Sequence, residues 1–222
     1  MQASDIIQRA APLLNDADNV RWEEPELLRY IADAQQQIVD VKPSSNSVTQ
    51  NITLTAQSTL QNKPATAKQM IRLVRNMGSG GATPGRAIIM TSRESMDAMD
   101  VNWHSETGDQ VERWIYDPDA DRDVFWVYPA LSQRAMVEAV YSKNPASTIA
   151  SPSTALDLGP QYLNPILDWV LHRCFSKDAD YGGNLQRAQT HLEAFATNLG
   201  VKIQRIMRTN PNFTRRDVAA QR

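Results

Sequence analysis

The sequence predicts an α+β fold: a helical bundle from N- and C-terminal helices, an inserted antiparallel β sheet or barrel, and an extended C-terminal arm. Three observations predict it. Apolar residues recur at helical spacing in 21–43 and again from 164 onward. The stretch between them has no helical stripe and carries β-branched and aromatic runs. Within it, ERWIY (112–116) and VFWVY (124–128) bracket the polar DPDADRD, which gives a hairpin two packing flanks and a turn rich in Asp and Pro. The chain therefore divides into a bundle of residues 1–43 and 160–208, a β insertion of 44–159, and an arm of 209–222.

The organising helix is RWEEPELLRYIADAQQQIVDVKP (21–43). Leu27, Ile31, Ala34, Ile38 and Val41 follow at steps of four, three, four and three, and Leu28, Gln35 and Val39 widen the stripe. Glu23, Glu24 and Glu26 suit the positive end of the helix dipole, Pro25 fits a first turn, and Pro43 stops the helix. Its best matching stripe lies near the C-terminus, so the chain reads as closed end to end. Before it, Ser4–Asn15 forms a short helix with Ser4 as N-cap and Pro12 as a weak point.

After Pro43 come one or two strands in 44–60, a mixed-face strand over Gln69–Met77, and a flexible connection, GSGGATPG (78–85). RAIIMT (86–91) is a further strand or the entry to a helix over Ser92–Val101, capped by Ser92. Behind the hairpin, Met136–Ser142 alternates as another strand. A proline-containing loop over 143–160 leads to Asn164-Pro165 and a helix with Ile166, Trp169, Val170 and Cys174 on its stripe. Gly182 and Gly183 break it. The last helix starts near Asn184, with Leu185, Ala188, Leu192, Phe195, Leu199, Ile203 and Ile206 at helical spacing, and Gly200 as a kink point.

Composition bounds the function. At 222 residues, 41% hydrophobic and 22% charged, the chain can bury a sizeable core as one large domain or two small ones. A net charge of -2 argues against bulk attraction to nucleic acid or anionic membrane. A single cysteine, Cys174, excludes an internal disulfide. No signal peptide and no membrane-spanning run is read, which places the chain in a cytoplasm or assembled there.

Motifs for chemistry fall short of their requirements. Asp117, Asp119, Asp121 and Asp123 alternate like the opening of a calcium loop, but Arg122 stands where Gly is needed and Tyr128 where a bidentate Glu is needed. The turn reads as a polar hairpin tip, and no metal or cofactor is expected. GSGGATPG lacks the Lys-Ser/Thr of a phosphate loop. His104, His172 and His191 share no ligand spacing with each other or with Cys174. Trp114, Tyr116, Trp126 and Tyr128 read as sheet core rather than as a base-stacking platform.

The C-terminal end carries Lys202, Arg205, Arg208, Arg215, Arg216 and Arg222 against Asp217 alone. Such an end is either a solvated tail or a docked arm. With the helix ending in WEEPELLRYIADAQQQIVDVKP, the hairpin closing in VFWVYPAL and returning through VEAVYSKNP, and the helix YLNPILDWVLHRCFSKDA, the chain resembles the head-to-tail adaptor, or connector, proteins of tailed bacteriophages, including the tail-tubular gatekeeper type. The resemblance implies a non-enzymatic virion protein at the head–tail junction, assembled in the host cytoplasm. It implies a homo-oligomeric ring, usually dodecameric, that binds under the portal protein, meets tail or nozzle proteins, and lets genomic DNA pass its lumen without sequence-specific binding. Docking to the portal or an adjacent subunit then falls to Arg208, Phe213, Arg215, Arg216 and Arg222, with Phe213 as the apolar anchor and the guanidinium groups pairing with acids. The alternatives are a nucleic-acid-binding module using the basic tail and a metal-dependent hydrolase using the Asp-rich turn.

Overall fold

The computed structural model describes residues 1–180 and 182–209, with 201–209 as helix backbone. The chain divides into two compact units, one of Met1–Lys42 with the segment beginning at Pro145, the other Pro43–Asn144. The fold is α+β, with antiparallel sheets between N- and C-terminal helices.

In the helical unit, α1 (Ala3–Leu14), α2 (Glu24–Val41), α4 (Leu163–Lys177) and α5 (Asn184–Thr209) surround one apolar core. Helix α1 begins before the expected Ser4 cap, because Asp5 accepts the Gln2 amide at 2.8 Å and closes the first turn. Pro12 sits in its last turn, and Asn15 ends it in the left-handed conformation. Leu27, Leu28, Ile31, Ala34, Gln35, Ile38 and Val39 bury the predicted stripe of α2, while Val41 stays exposed. That stripe meets α4 rather than α5: α4 packs against α1, α2 and α5. On α5, Ala188, Phe195 and Leu199 are buried, but Leu185 and Leu192 are exposed, at 58% and 40%. The stripe of α5 is therefore narrower than its apolar residues suggest.

The loop before α4, assigned by the sequence to the β insertion, belongs to this core. Ile149 and Leu158 are buried in it, the Leu158 amide donates to the buried Gln35 side chain at 3.2 Å, and Gln2 bridges Ala155.

The β unit holds β1 (Ser47–Thr53), β2 (Leu60–Asn62), β3 (Ala67–Asn76), β4 (Ile89–Met90), a short helix α3 (Arg93–Met99), β5 (Thr107–Gly108), β6 (Arg113–Ile115), β7 (Val124–Tyr128), β8 (Ala130–Leu131) and β9 (Met136–Lys143). One sheet runs β1-β9-β3, a second β2-β7-β6-β4, and β5 pairs with β8. The predicted hairpin is β6–β7, with Trp114 opposite Val127. Pairing is antiparallel except for β4–β6 and β5–β8. Buried Leu73, Val137, Ala139 and Tyr141 of the first sheet share a core with Trp114, Phe125 and Val127 of the second. Segment 86–91 ties the sheets: Ile88 donates to Val74 of β3 at 3.0 Å, and Ile89 and Thr91 donate to Glu112 and Trp114 at 3.0 Å. Among the described residues, the outer edges of β1 and β2 meet no further strand, so of the expected sheet or barrel it is open sheets that form.

Strand β3 explains its mixed-face sequence. Its buried residues, Ala67, Met70, Leu73 and Asn76, recur every third position, because the register with β9 shifts between 67 and 69, 70 and 72, and 73 and 75. Each irregularity adds a residue and turns a period of two into three. The glycine connection 78–85 is held rather than free. Asn51 donates to the Gly81 carbonyl at 2.8 Å, Gly85 to Asn76 at 2.8 Å, and Gly81 has φ 72° with the Met136 sulfur where a Cβ would lie.

Ile38→Ala is expected to cost about 2–5 kcal/mol in urea unfolding, the range for a fully buried aliphatic side chain. Leu192→Ala, at an exposed position of α5, should change stability by no more than about 0.5 kcal/mol. Equal losses at the two positions would contradict the exposure of Leu192 on α5.

Candidate functional site

Arg208 lies in the last turn of α5 with its side chain outside the described residues, and Phe213, Arg215, Arg216 and Arg222 lie outside them altogether. Among the described residues, the candidates are surfaces rather than a pocket of reactive groups.

The loop between α1 and α2 forms one such surface. Asn15 and Asn19 adopt positive φ, 52° and 51°, which Asn tolerates better than other non-glycine residues. Their turns wrap the chain around Asp16, whose carboxylate accepts the amides of Val20, Arg21 and Trp22 at 2.9, 3.0 and 2.9 Å. The Trp22 amide is the main cause that lowers the Asp16 pKa; partial burial opposes it, and the Val20 and Arg21 amides reinforce it. Below this nest, Trp22 is buried, with Arg21 and Lys177 over its ring at 5.7 and 5.5 Å. Arg21 pairs with Asp178, and Lys177 with Glu26 at 2.7 Å. Burial pushes the Glu26 carboxyl up, but hydrogen bonds from Lys177 and Tyr30 outweigh it and leave the pKa lowered. The loop thus presents Val20, 79% exposed, on a firmly held frame.

In the β unit, the sheet of β2, β7, β6 and β4 is covered on both faces. Trp114, Phe125 and Val127 point into the main core, whereas Ile115, Trp126 and Tyr128 pack under Met96 of α3 and Trp103. Trp103 donates to Asp97 at 2.8 Å, and Arg93 lies 5.4 Å over the Trp126 ring. The hairpin aromatics are therefore packed on their faces and do not form an open stacking platform. Exposed apolar side chains surround them in sequence: Leu60, Ile89, Met90, Met99 and Val101.

The Asp-rich turn caps itself. Asp117 accepts the amides of Asp119 and Ala120 at 3.1 and 3.3 Å, Asp121 accepts that of Asp123 at 2.8 Å, and Asp123 pairs with Lys63 at 3.2 Å. Among the described residues no group of three or more His, Cys, Asp or Glu could hold a metal ion. The histidines are separately engaged: His104 with Thr59 at 3.0 Å, His172 with the Ala188 carbonyl at 2.9 Å, His191 with Asp168 at 3.1 Å. The Cys174 thiol is fully buried, and burial pushes its pKa up to about 12, so it is neither accessible nor ionised at neutral pH.

A family profile described as SU10 adaptor protein matches residues 1–216. The chain belongs to this family of phage head-to-tail adaptors. Among curated proteins, none matches it. Membership agrees with the resemblance carried by the two terminal helical segments and the aromatic hairpin, and it makes the adaptor a head–tail connector protein of the virion. Among the described residues, no helix of the adaptor is long and apolar enough to cross a membrane.

Sequence reasoning missed the amide side chains that fasten its loops. Asn76 is buried, donates to the Val111 carbonyl at 2.7 Å and accepts the Val111 amide at 2.9 Å. Gln61 is also buried, with its side chain accepting the Thr55 amide at 2.7 Å. Nothing in the sequence separates these amides from surface ones.

Two outcomes check this site. The double variant Asp119→Asn, Asp121→Asn should melt with the parent and show no calcium-dependent rise in melting temperature. Because the folded pKa of Asp16 lies below its unfolded value, its contribution is present above the unfolded pKa and lost as pH falls through the folded one. Asp16→Asn should therefore be less stable than the parent at neutral pH, with the gap closing under acid in parallel urea titrations.

Proposed function

We propose that copies of this adaptor assemble into a dodecameric ring beneath the portal vertex and join the capsid to tail or nozzle proteins, with the genome passing through the lumen. The observation that carries this reading is the family match over residues 1–216. The adaptor acts through geometry, without chemistry of its own. In support, the Asp-rich turn is self-capped, each histidine has a structural partner, and the thiol is buried. A net charge of -2 suits a channel past which DNA must slide, since each phosphate neutralised by a cation strengthens retention.

The basic end supplies the docking arm. Phe213 inserts as the apolar anchor, and Arg208, Arg215, Arg216 and Arg222 pair with acids of the portal or of an adjacent subunit. Assembly takes place in the host cytoplasm, and the finished ring resides at the head–tail junction.

Deleting residues 209–222 should leave a soluble protein with an unchanged melting temperature that no longer binds the portal. Particles made with it should hold DNA poorly and lack tails. Normal attachment of the truncated chain would refute the arm. Steeply salt-dependent DNA binding by the isolated chain would favour a nucleic-acid-binding module instead.

A further inference from the structure

Strand β1, SVTQNIT, is the edge of its sheet. Its register with β9 pairs Val48 with Tyr141, Gln50 with Ala139 and Ile52 with Val137, and the ladder continues where Leu54 donates to Ala135 at 3.0 Å. In an antiparallel ladder, bonded pairs alternate with unbonded ones. The main-chain groups of Val48, Gln50 and Ile52 therefore face β9, and those of Ser47, Thr49, Asn51 and Thr53 face outward. Among the described residues, the outward amides of Thr49, Asn51 and Thr53 have no acceptor, while that of Ser47 follows the 3-10 turn of Pro43–Asn46.

Edges of this length are ordinarily blunted by charge, proline or irregular register. Strand β1 has none of these: no ionisable residue, no proline, and an unbroken register with β9. Beside it lies an open groove of ≈ 470 Å³ lined by Gln50, Ile52, Gln61, Asn62 and Tyr141. The one cation there, Lys63, is already bound to Asp123 and to the Ala67 carbonyl. An occupant of this edge is held by main-chain hydrogen bonds and uncharged side chains.

The strand is complementary to itself. With a two-fold axis through Gln50, an antiparallel second copy sets Ser47 opposite Thr53, Val48 opposite Ile52, and Thr49 opposite Asn51. Residues with outward main-chain groups then meet one another, and the free amides and carbonyls of Thr49 and Asn51 bond in pairs. Moving the register by one residue breaks this match. The faces agree as well. Val48 and Ile52 are half-buried, packed against the core of the β unit, and their pairing extends that core, while Thr49 and Asn51 meet on the exposed face.

We propose that the free chain forms a two-fold dimer through β1, joining two three-stranded sheets into one of the order β3-β9-β1-β1-β9-β3. This goes beyond the ring reading. A two-fold contact uses the same patch on both copies and does not propagate around a ring of head-to-tail contacts. The dimer is the state of the adaptor before it enters a ring, with its uncharged edge covered against open-ended pairing.

The test uses the full chain. Its only cysteine, Cys174, is buried, so Gln50→Cys supplies a single accessible thiol. On the two-fold axis the pair is unbonded, with Cα atoms about 4.5 Å apart, within disulfide reach. Mild oxidation should convert Gln50→Cys to a disulfide-linked species of twice the chain mass, and Thr49→Cys, whose mate is Asn51, many-fold more slowly. Sedimentation of the parent should show a concentration-dependent dimer. Thr49→Lys with Asn51→Lys places like charges opposite each other and should return a folded monomer with an unchanged circular dichroism spectrum. A parent that is monomeric at every concentration overturns the proposal. So does a ring in solution without the Gln50→Cys disulfide, or equal cross-linking rates for the two cysteine variants.

Discussion

Helix α4 is the element on which the helical unit depends. It buries Ile166, Val170, Leu171, Cys174 and Phe175, and it packs against α1, α2 and α5. An amphipathic helix in isolation has little stability, because most of the favourable free energy comes from laying its apolar face on something else. Neither end of the chain can therefore form this core without the other. Polar contacts secure the same junction: Lys177 at the C-terminal end of α4 reaches Glu26 at the start of α2, and Arg21 reaches Asp178.

The β unit is organised around β9, the central strand of its sheet, with buried Val137, Ala139, Tyr141 and Ser142. On one side β3 follows it through repeated shifts of register; on the other, β1 follows it without any. The irregular side continues through segment 86–91 into the second sheet, and the regular side ends at an unpaired edge. Bulges bend and twist a strand, which suits β3 to the corner where two sheets join. The regular strand keeps an edge that another strand can extend.

Several groups capable of chemistry are engaged within the fold of this head-to-tail adaptor: Asp117 caps its own turn, His172 and His191 bond to neighbours, and the Cys174 thiol is buried. Among its exposed residues are apolar or uncharged stretches, such as Val20 on its braced loop, the side chains around α3, and the β1 edge. Exposed apolar patches of this kind are a common feature of surfaces that meet other proteins.

The sequence by itself determined the α+β class, the stripe of α2, the hairpin at Trp114 and Trp126, the cap at Ser92 and the start of α5 at Asn184. Each rests on a local regularity: a spacing of three or four, an alternation of two, or a residue whose side chain bonds its own backbone. The polar turn between the hairpin strands was legible for the same reason, since Asp and Pro mark a turn locally. Tertiary structure alone decided that α2 meets α4, that Leu192 faces solvent, and that the 145–158 segment packs with the helices. Those choices depend on which of several apolar faces finds a complementary surface, and Leu192 has the same side chain buried or exposed. It also decided the three-residue burial period of β3 and the roles of Asn76 and Gln61, because a bulge or a buried amide exists only once the partner strand or carbonyl is in place.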